Sequence, residues 1–233
     1  VYNHFYQPSN MFLIVAGDVG IKNVLDIINN NESLAKMKKH YHFQYQLSHE
    51  SKKVKKEYVA LNENILVPKV SYHFKFDLTE IDFIDYRLIS LYYNAIFTIL
   101  FGEASTFNLR VLENNLASFF YLNYSIYQNI YDFSLNAESD YADLFKDEID
   151  NVIDTINISK EDFDRVKKVW FTHLIHSLDN PLAITESIVD DLLIYGKYDD
   201  ERELIEKLNY EDLLKIIKKM DFNNRVFALM LPK

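Results

Sequence analysis

The hydrophobic positions of this chain follow two periods, and each period predicts a different element. In residues 70–77, apolar and polar side chains alternate, which predicts a strand with one buried and one exposed face. Residues 11–16, MFLIVA, are apolar without interruption and end at Gly17, a pattern typical of a strand buried on both faces. Residues 118–139 are rich in Tyr, Phe and Ile, and they predict a hairpin that turns near Gln128.

Apolar residues at helical spacing predict helices between and after these strands. Residues 21–28 repeat apolar side chains every three or four positions after Asp18, which we predict to cap this helix. A longer helix is predicted to start at Asp77 or Thr79 and to end at Gly102. The other predicted helices cover residues 103–115, 141–156, 159–178, 181–196, 200–208 and 210–220, and a last strand covers residues 225–231.

The order of these elements divides the chain into three parts. Residues 1–50 are predicted to be the closing strand and helix of a preceding, truncated α/β domain, residues 51–68 a lysine-rich linker, and residues 69–233 a second domain. The second domain is expected to have an α+β fold, a two-layer sandwich of a mainly antiparallel sheet with helices on one face. Because the strand at residues 11–16 has no predicted sheet neighbour, we expect residues 1–50 to pack poorly or to pair with another molecule.

Composition narrows the classes of function. The 233 residues are 48% hydrophobic, enough for a sizeable core, and the net charge of −10 disfavours nucleic acid as a partner. Cysteine is absent, which excludes disulfides, thiolate zinc sites and cysteine nucleophiles and fits a cytoplasmic protein. The most apolar stretch, residues 88–101, is shorter than the roughly 20 residues of a bilayer span, so we interpret it as a buried helix rather than a membrane segment.

Two pairs of histidines are the nearest candidates for metal ligands, although no metal site is predicted. His173 and His176 are spaced i, i+3 on a predicted helix and could share a zinc ion, but no acidic residue is clearly placed as a third ligand. His40 and His42 would share a face only in a strand, and His73 falls on the polar face of its strand, where we expect a surface residue. No His-Glu-x-x-His, His-x-x-Glu-His or Gly-x-Ser-x-Gly motif is present. The residues alone therefore give no complete catalytic site.

The segment HFYQPSNMFLIVAGDV, residues 4–19, resembles part of the pitrilysin/insulinase-type zinc peptidases, which include the mitochondrial-processing-peptidase-like proteins. In that family an aromatic-rich Tyr-x-Pro-Ser-Asn-Met runs into a buried strand that ends in Gly-Asp. The matching residues are Phe5, Tyr6, Pro8, Ser9, Asn10, Met11, Gly17 and Asp18. Residues 98–106 are similar to the Leu-Phe-Gly end of a long helix in the same family, and the likeness extends over essentially the whole chain. The resemblance implies a processing-peptidase-like fold and the non-catalytic C-terminal half of such a protein, closest to bacterial zinc-protease-like members.

What the resemblance implies about the site is mostly negative. The zinc motif His-x-x-Glu-His would lie in a missing N-terminal half, so no catalytic residue and no cofactor is expected in this chain. In active members the second domain offers an Arg and a Tyr to the substrate, but Leu112 and Ser118 stand near those positions here. Arg110 and Tyr121 lie close by, out of register, and they are our candidate substrate-binding residues.

Three functions remain open. The chain could form one wall of a peptide substrate chamber, with the N-terminal catalytic half or a homologous subunit as its partner and a peptide or small protein as its substrate. It could instead be a catalytically dead pseudopeptidase that acts as an interaction or assembly module, linked to elongation factor P modification. Leu112 and Ser118 favour this second function, because they stand near the positions of the Arg and Tyr of active members. A third function is an independent zinc enzyme at His173 and His176. A homo-oligomer is also expected, whereas nucleic acid and membranes are not expected as partners.

Overall fold

A computed structural model describes residues 5–6, 10–36 and 48–233 and divides the chain into two compact units. The first unit comprises residues 1–49 and 173–199, and the second comprises residues 50–172 and 200–233. Four residues considered above, Pro8, Ser9, His40 and His42, lie outside the described residues.

The second unit contains a five-stranded sheet with the strand order β1-β5-β2-β4-β3. The strands are β1 (Tyr58–Glu63), β2 (Lys69–Asp77), β3 (Phe119–Tyr127), β4 (Ile130–Glu138) and β5 (Arg225–Pro232). The helices of the described residues are α1 (Ile21–Asn29), α2 (Glu32–Lys36), α3 (Tyr86–Phe101), α4 (Thr106–Glu113), α5 (Ala142–Asp154), α6 (Lys160–Ser177), α7 (Pro181–Tyr195), α8 (Glu201–Lys207) and α9 (Tyr210–Lys219). β1 runs parallel to β5, and all other neighbouring strands are antiparallel. The predicted α+β fold is therefore confirmed.

The core of the second unit lies between the helices and one face of the sheet. β2 supplies alternate buried side chains from Val70 to Phe76, each no more than 3% exposed, as its period-2 pattern predicts. Phe97 of α3 stacks on Phe133 of β4 with ring centroids 3.7 Å apart, and it contacts several further rings of the same cluster. Aromatic side chains thus fill much of the space between the two layers.

The long helix starts later than the sequence predicts. The Asp77 carboxylate accepts hydrogen bonds from the backbone N–H and the hydroxyl of Thr79, at 3.0 and 2.7 Å, and caps only a short 3-10 turn at Leu78–Glu80. A long helix capped by Asp77 would begin at Leu78, but α3 begins eight residues later, at Tyr86, where the Asp85 side chain is the cap. The helix ends at Gly102 as predicted.

β1 was not predicted, because it falls in the region interpreted as a linker at residues 51–68. It pairs in parallel with β5, and Tyr58 lies opposite Phe227 with the two rings stacked at 6.1 Å. Just before it, the Lys53 ammonium lies 2.5 Å from the Asp221 carboxylate. Residues 58–63 of the predicted linker are therefore part of the sheet. The sequence did not predict this strand because it is only six residues long and follows a polar, lysine-rich stretch.

The first unit departs most from the sequence prediction. Residues 11–16 form no strand, and four of their six apolar side chains are exposed, with Leu13 70% and Val15 48% accessible. α1 begins after Gly20 without a side-chain cap, rather than at Asp18, and none of its residues is buried. The predicted buried strand is wrong because no described strand pairs with this segment, so its backbone gains no sheet hydrogen bonds. The assignment of residues 1–50 to a preceding domain stays a prediction.

Among the described residues, the stretch Tyr86–Glu113 is long and apolar enough to meet a simple criterion for a membrane span. Half of its most apolar part is buried inside the fold. It contains α3, eleven of whose sixteen residues are buried. We therefore interpret it as a core helix, as the sequence predicts.

Candidate functional site

The candidate site is the face of the sheet opposite the core, which we call the open face. Side chains of every second residue of the five strands lie on this face. One row of residues crosses all five strands in register. Ser71 of β2 lies opposite Ala228 of β5 on one side and Asn136 of β4 on the other. Ala228 in turn lies opposite Val59 of β1, and Asn136 lies opposite Tyr121 of β3. Polar side chains predominate at the centre of the open face. The end that we call apolar carries Leu61, Met230 and Phe119, and between them lie Lys69 and Glu138, whose charged groups are 3.4 Å apart.

The apolar end forms a shallow cavity of about 250 Å³. Leu61 of β1 and Phe119 of β3 lie on its two sides and are 42% and 59% exposed. The row from Val59 to Tyr121 forms its floor, so hydroxyl and amide groups sit among apolar side chains. A mostly apolar groove with a few polar groups is typical of a binding site rather than of an ordinary protein surface. We call this cavity the open-face groove.

A chain of polar side chains adjoins the groove. On the His73 ring, Nε2 lies 2.9 Å from Ser71 Oγ, and Nδ1 lies 2.9 Å from Asp132 Oδ1. The Ser71 hydroxyl also lies 2.5 Å from Asn136 Oδ1, and the Asn136 amide donates to Ser134 Oγ at 3.0 Å. His73 was predicted to be a surface residue, and at 35% side-chain exposure it is only partly so.

The Ser71–His73–Asp132 chain has the side chains of a nucleophilic triad, but it lacks the rest of such a site. Stabilising an oxyanion requires N–H donors aimed at the reacting oxygen. β2 is paired along both edges at Ser71 and His73, so the backbone N–H groups of these two residues lie in the plane of the sheet. The chain can therefore supply hydrogen bonds to a bound molecule, and the described residues do not complete a catalytic centre with it.

Beneath this face, a charged cluster on the core side holds β2 and β5 against α5. The Tyr72 hydroxyl donates to Asp150 Oδ1 at 2.7 Å, and Arg225 donates to the same oxygen at 2.9 Å. Lys146 donates to the other carboxylate oxygen at 2.6 Å. Burial, together with the hydrogen bond to Asp150, raises the pKa of Tyr72 well above its ordinary value, so the phenol stays protonated and continues to donate.

The two candidate substrate-binding residues lie in different layers. Tyr121 is 51% exposed and lines the open-face groove. Arg110 lies on α4 in the helical layer, where its Nη1 donates to Glu148 Oε1 of α5 at 2.8 Å. Arg110 lines a separate cavity of about 190 Å³ among the helices, together with Arg165. The structure thus does not bring Arg110 and Tyr121 together, and a role in substrate binding stays a prediction for each.

The positions that match the family's Arg and Tyr carry no equivalent chemistry. Leu112 is 60% exposed on α4. Ser118 precedes β3, and its hydroxyl donates to the Glu138 carbonyl oxygen at 3.2 Å. Neither side chain can offer a cation or a phenol to a substrate.

His173 and His176 are both exposed near the end of α6. Within residues 5–6, 10–36 and 48–233, no group of three or more His, Cys, Asp or Glu side chains could hold a metal ion. Zinc needs three or four protein ligands, so this donor set does not fit the zinc ion that the resemblance associates with active peptidases. No step through a metal is therefore derived for this chain.

The fold recurs in solved structures of peptidases. An M16-like peptidase from Alicyclobacillus acidocaldarius is 20% identical, with a TM-score of 0.81 over 100% of this chain and 56% of its own. A protease from Helicobacter pylori is 18% identical, with a TM-score of 0.77 over 99% of this chain and 57% of its own. An insulinase-family protease from Yersinia pestis is 15% identical, with a TM-score of 0.64 over 100% of this chain and 54% of its own. At these identities the likeness shows the fold, and the chain spans little more than half the length of these proteins.

The sequence also matches a family. Residues 1–169 match the family described as the peptidase M16 inactive domain. No curated protein matches this chain. The family match and the solved structures together confirm the resemblance inferred from the opening segment.

Proposed function

Because this chain belongs to the peptidase M16 inactive domain family, we propose that its open face forms one wall of a chamber that holds an extended peptide. The open-face groove carries this proposal, since it combines apolar sides with a floor that crosses all five strands and includes the polar groups of Ser71, Asn136 and Tyr121. Peptide side chains would occupy the apolar end, and the Ser71–His73–Asp132 chain would hydrogen-bond to polar groups of the peptide. This wall binds and orients, and it does not cleave.

The zinc and the general base of cleavage would come from a separate half. We propose that a segment or subunit with His-x-x-Glu-His faces the groove, so that cleavage needs both halves. This chain covers between 54% and 57% of the length of the three solved structures compared above, which supports a second half of similar size. A cytoplasmic location, expected from the absence of cysteine, is part of the same proposal.

Two tyrosines of β3 provide a matched test. Tyr121 lines the groove, whereas Tyr124 lies on the opposite face of the same strand with a similar exposure of 55%. We expect Tyr121→Ala to weaken binding of a fluorescein-labelled, unfolded peptide rich in Leu and Phe by about fivefold, the loss typical of one aromatic contact. Tyr124→Ala should leave the affinity unchanged. Fluorescence anisotropy measures both, and equal affinities of the two variants would contradict the proposal.

Leu112 and Ser118 favour a second function. Because they replace the Arg and Tyr of active members, the parent protein would be a pseudopeptidase that uses the groove for assembly, including assembly linked to elongation factor P modification. Peptide hydrolysis by this chain combined with its zinc-bearing half separates the two functions. Hydrolysis that a chelator abolishes supports the chamber, and binding without hydrolysis supports the pseudopeptidase.

A further inference from the structure

The polar side chains beside the open-face groove form one continuous line of hydrogen bonds, which we call the polar network. The network runs from Asp132 through His73, Ser71 and Asn136 to Ser134, with 2.5 to 3.0 Å between neighbouring donor and acceptor atoms. Ser134 is 1% exposed, whereas the side chains of His73 and Asp132 are 35% and 34% exposed. One end of the network is therefore buried, and the other end meets solvent.

The protons of the network can be counted from its hydrogen bonds. The Ser71 hydroxyl donates its one proton to Asn136 Oδ1, so Ser71 Oγ can only accept from His73 Nε2, which must carry a proton. His73 Nδ1 faces an oxygen of the Asp132 carboxylate, which accepts only, so Nδ1 must carry a proton as well. With the Asn136 amide in this orientation, His73 is the imidazolium cation.

A neutral His73 requires the opposite orientation of the Asn136 amide. Half a turn of the amide exchanges its oxygen and nitrogen, so that Asn136 Nδ2 donates to Ser71 and the Ser71 hydroxyl donates to His73 Nε2. Ser134, which accepts from Asn136 in the first orientation, then donates to Asn136 Oδ1. Three of the four hydrogen bonds have reversed their direction, and the bond from His73 Nδ1 to Asp132 keeps it.

Each form of His73 satisfies a different end of the network. The charged form pairs with the Asp132 carboxylate. The neutral form gives the buried Ser134 hydroxyl an acceptor for its proton, which in the first orientation has none among the described residues. Neither form therefore satisfies every group of the network.

Few other charged groups face His73. On its own strand, the Lys75 ammonium group pairs with the Glu50 carboxylate. On β4, the direct partner Asp132 is the charged group. The residues of the same row on β5, β4 and β3 are uncharged: Val226, Ser134 and Asn123. The next charges of the described face are the paired Lys69 and Glu138, and Glu57 just before β1.

We propose that the polar network is a proton-linked switch, in which uptake of one proton by His73 turns the Asn136 amide and reverses the hydrogen bonds from His73 to Ser134. The His73–Asp132 pair carries a single negative charge above the transition and is neutral below it. The switch thus changes the charge beside the open-face groove as the pH changes. It concerns the free chain, so it goes beyond the proposed peptide binding and does not depend on it.

Nitrogen NMR of the ¹⁵N-labelled chain tests the switch. Histidine usually changes its charge between about pH 5 and 8, and the titration extends as far as the fold stays intact. We expect neutral His73 to keep its proton on Nδ1, and the side-chain amide signals of Asn136 to shift with the same midpoint as the His73 ring nitrogens. A neutral ring protonated on Nε2, an Asn136 amide that does not follow His73, or a His73 that keeps one charge throughout would each overturn the proposal.

Ser71→Ala distinguishes a linked transition from two independent ones. The variant lacks the hydroxyl that joins His73 to Asn136, so His73 should still titrate while the Asn136 amide signals lose their shift with pH. Ser125→Ala is the matched control, since Ser125 is an exposed serine on the same face and takes part in none of the network's hydrogen bonds. It should keep the shared midpoint. A linkage that survives in Ser71→Ala, or that is lost equally in both variants, contradicts a path through Ser71.

Discussion

Residues 11–29 and residues 69–101 are both rich in apolar side chains, yet they end in opposite environments. α1 in the first region buries none of its residues, whereas α3 in the second buries eleven of sixteen. The difference lies in the partners, because β2 and α3 pack against each other and against β4, while no described strand pairs with residues 11–16. Apolar content therefore predicts an element, and only the surrounding elements decide whether it is buried.

Phe97 gives the largest expected effect on the buried side of this comparison. It is 1% exposed and stacks on Phe133 at 3.7 Å, so Phe97→Ala should lower the free energy of unfolding by about 3–5 kcal/mol through lost contacts and a cavity. Urea unfolding followed by circular dichroism measures the change. Phe97→Leu, which keeps most of the volume, should cost clearly less, and a loss below about 1 kcal/mol for the alanine variant would be incompatible with the packing described.

Asp150 tests the polar part of the same unit. Asp150→Ala leaves Tyr72, Arg225 and Lys146 without their shared acceptor, and we expect a loss of about 2–3 kcal/mol in the free energy of unfolding. The pKa of Tyr72 should fall towards its ordinary value, because the variant removes the hydrogen bond to Asp150 that helps to raise it, while the burial that also raises it remains. Spectrophotometric titration of tyrosine detects this change.

Asp147→Ala is the control for that variant. Asp147 is exposed on the same helix, α5, so its removal should alter neither stability nor the tyrosine titration. If both variants lose the same stability, the effect belongs to the helix and not to the Asp150 cluster.

The smallest effect is expected on the exposed side of the comparison. Leu13 is 70% accessible, so Leu13→Ser should change the free energy of unfolding by no more than about 0.5 kcal/mol in the same urea experiment. A loss above about 1 kcal/mol would show that residues 11–16 are packed in solution, and the contrast between the two regions would then disappear.

The sequence predicts those parts of the fold that local pattern determines. β2, the β3–β4 hairpin and the helices after Ser139 follow from periods of 2 and 3.6, since each period reports which face of an element is buried. β1 could not be predicted, because a six-residue strand depends on its parallel pairing with β5, far along the chain. The start of α3 was misplaced because Asp77 and Asp85 are both good caps, and local sequence does not rank them.

The candidate site was less predictable than the fold. Tyr121 was identified through resemblance, and the groove that it lines was not, since the groove is assembled from five strands. The alternation of β2 placed Ser71 and His73 on one face, which was the available signal, but Asp132 joins them only through the pairing of β2 with β4. Arg110 and Tyr121 were both predicted to bind substrate, and the sequence could not show that a helix and a strand carry them into different layers.

The position of β5 has a consequence for how the second unit folds. β5 lies between β1 and β2, where its Phe227 pairs with Tyr58 of β1. An interior position of the sheet is therefore filled by the last of the five strands to be synthesised. Until residues 225–232 have left the ribosome, β1 has no neighbour and β2 has one open edge. Such distant pairings slow folding and leave apolar edges available for wrong contacts meanwhile. We therefore expect the nascent chain to be most prone to aggregation before its final strand is inserted.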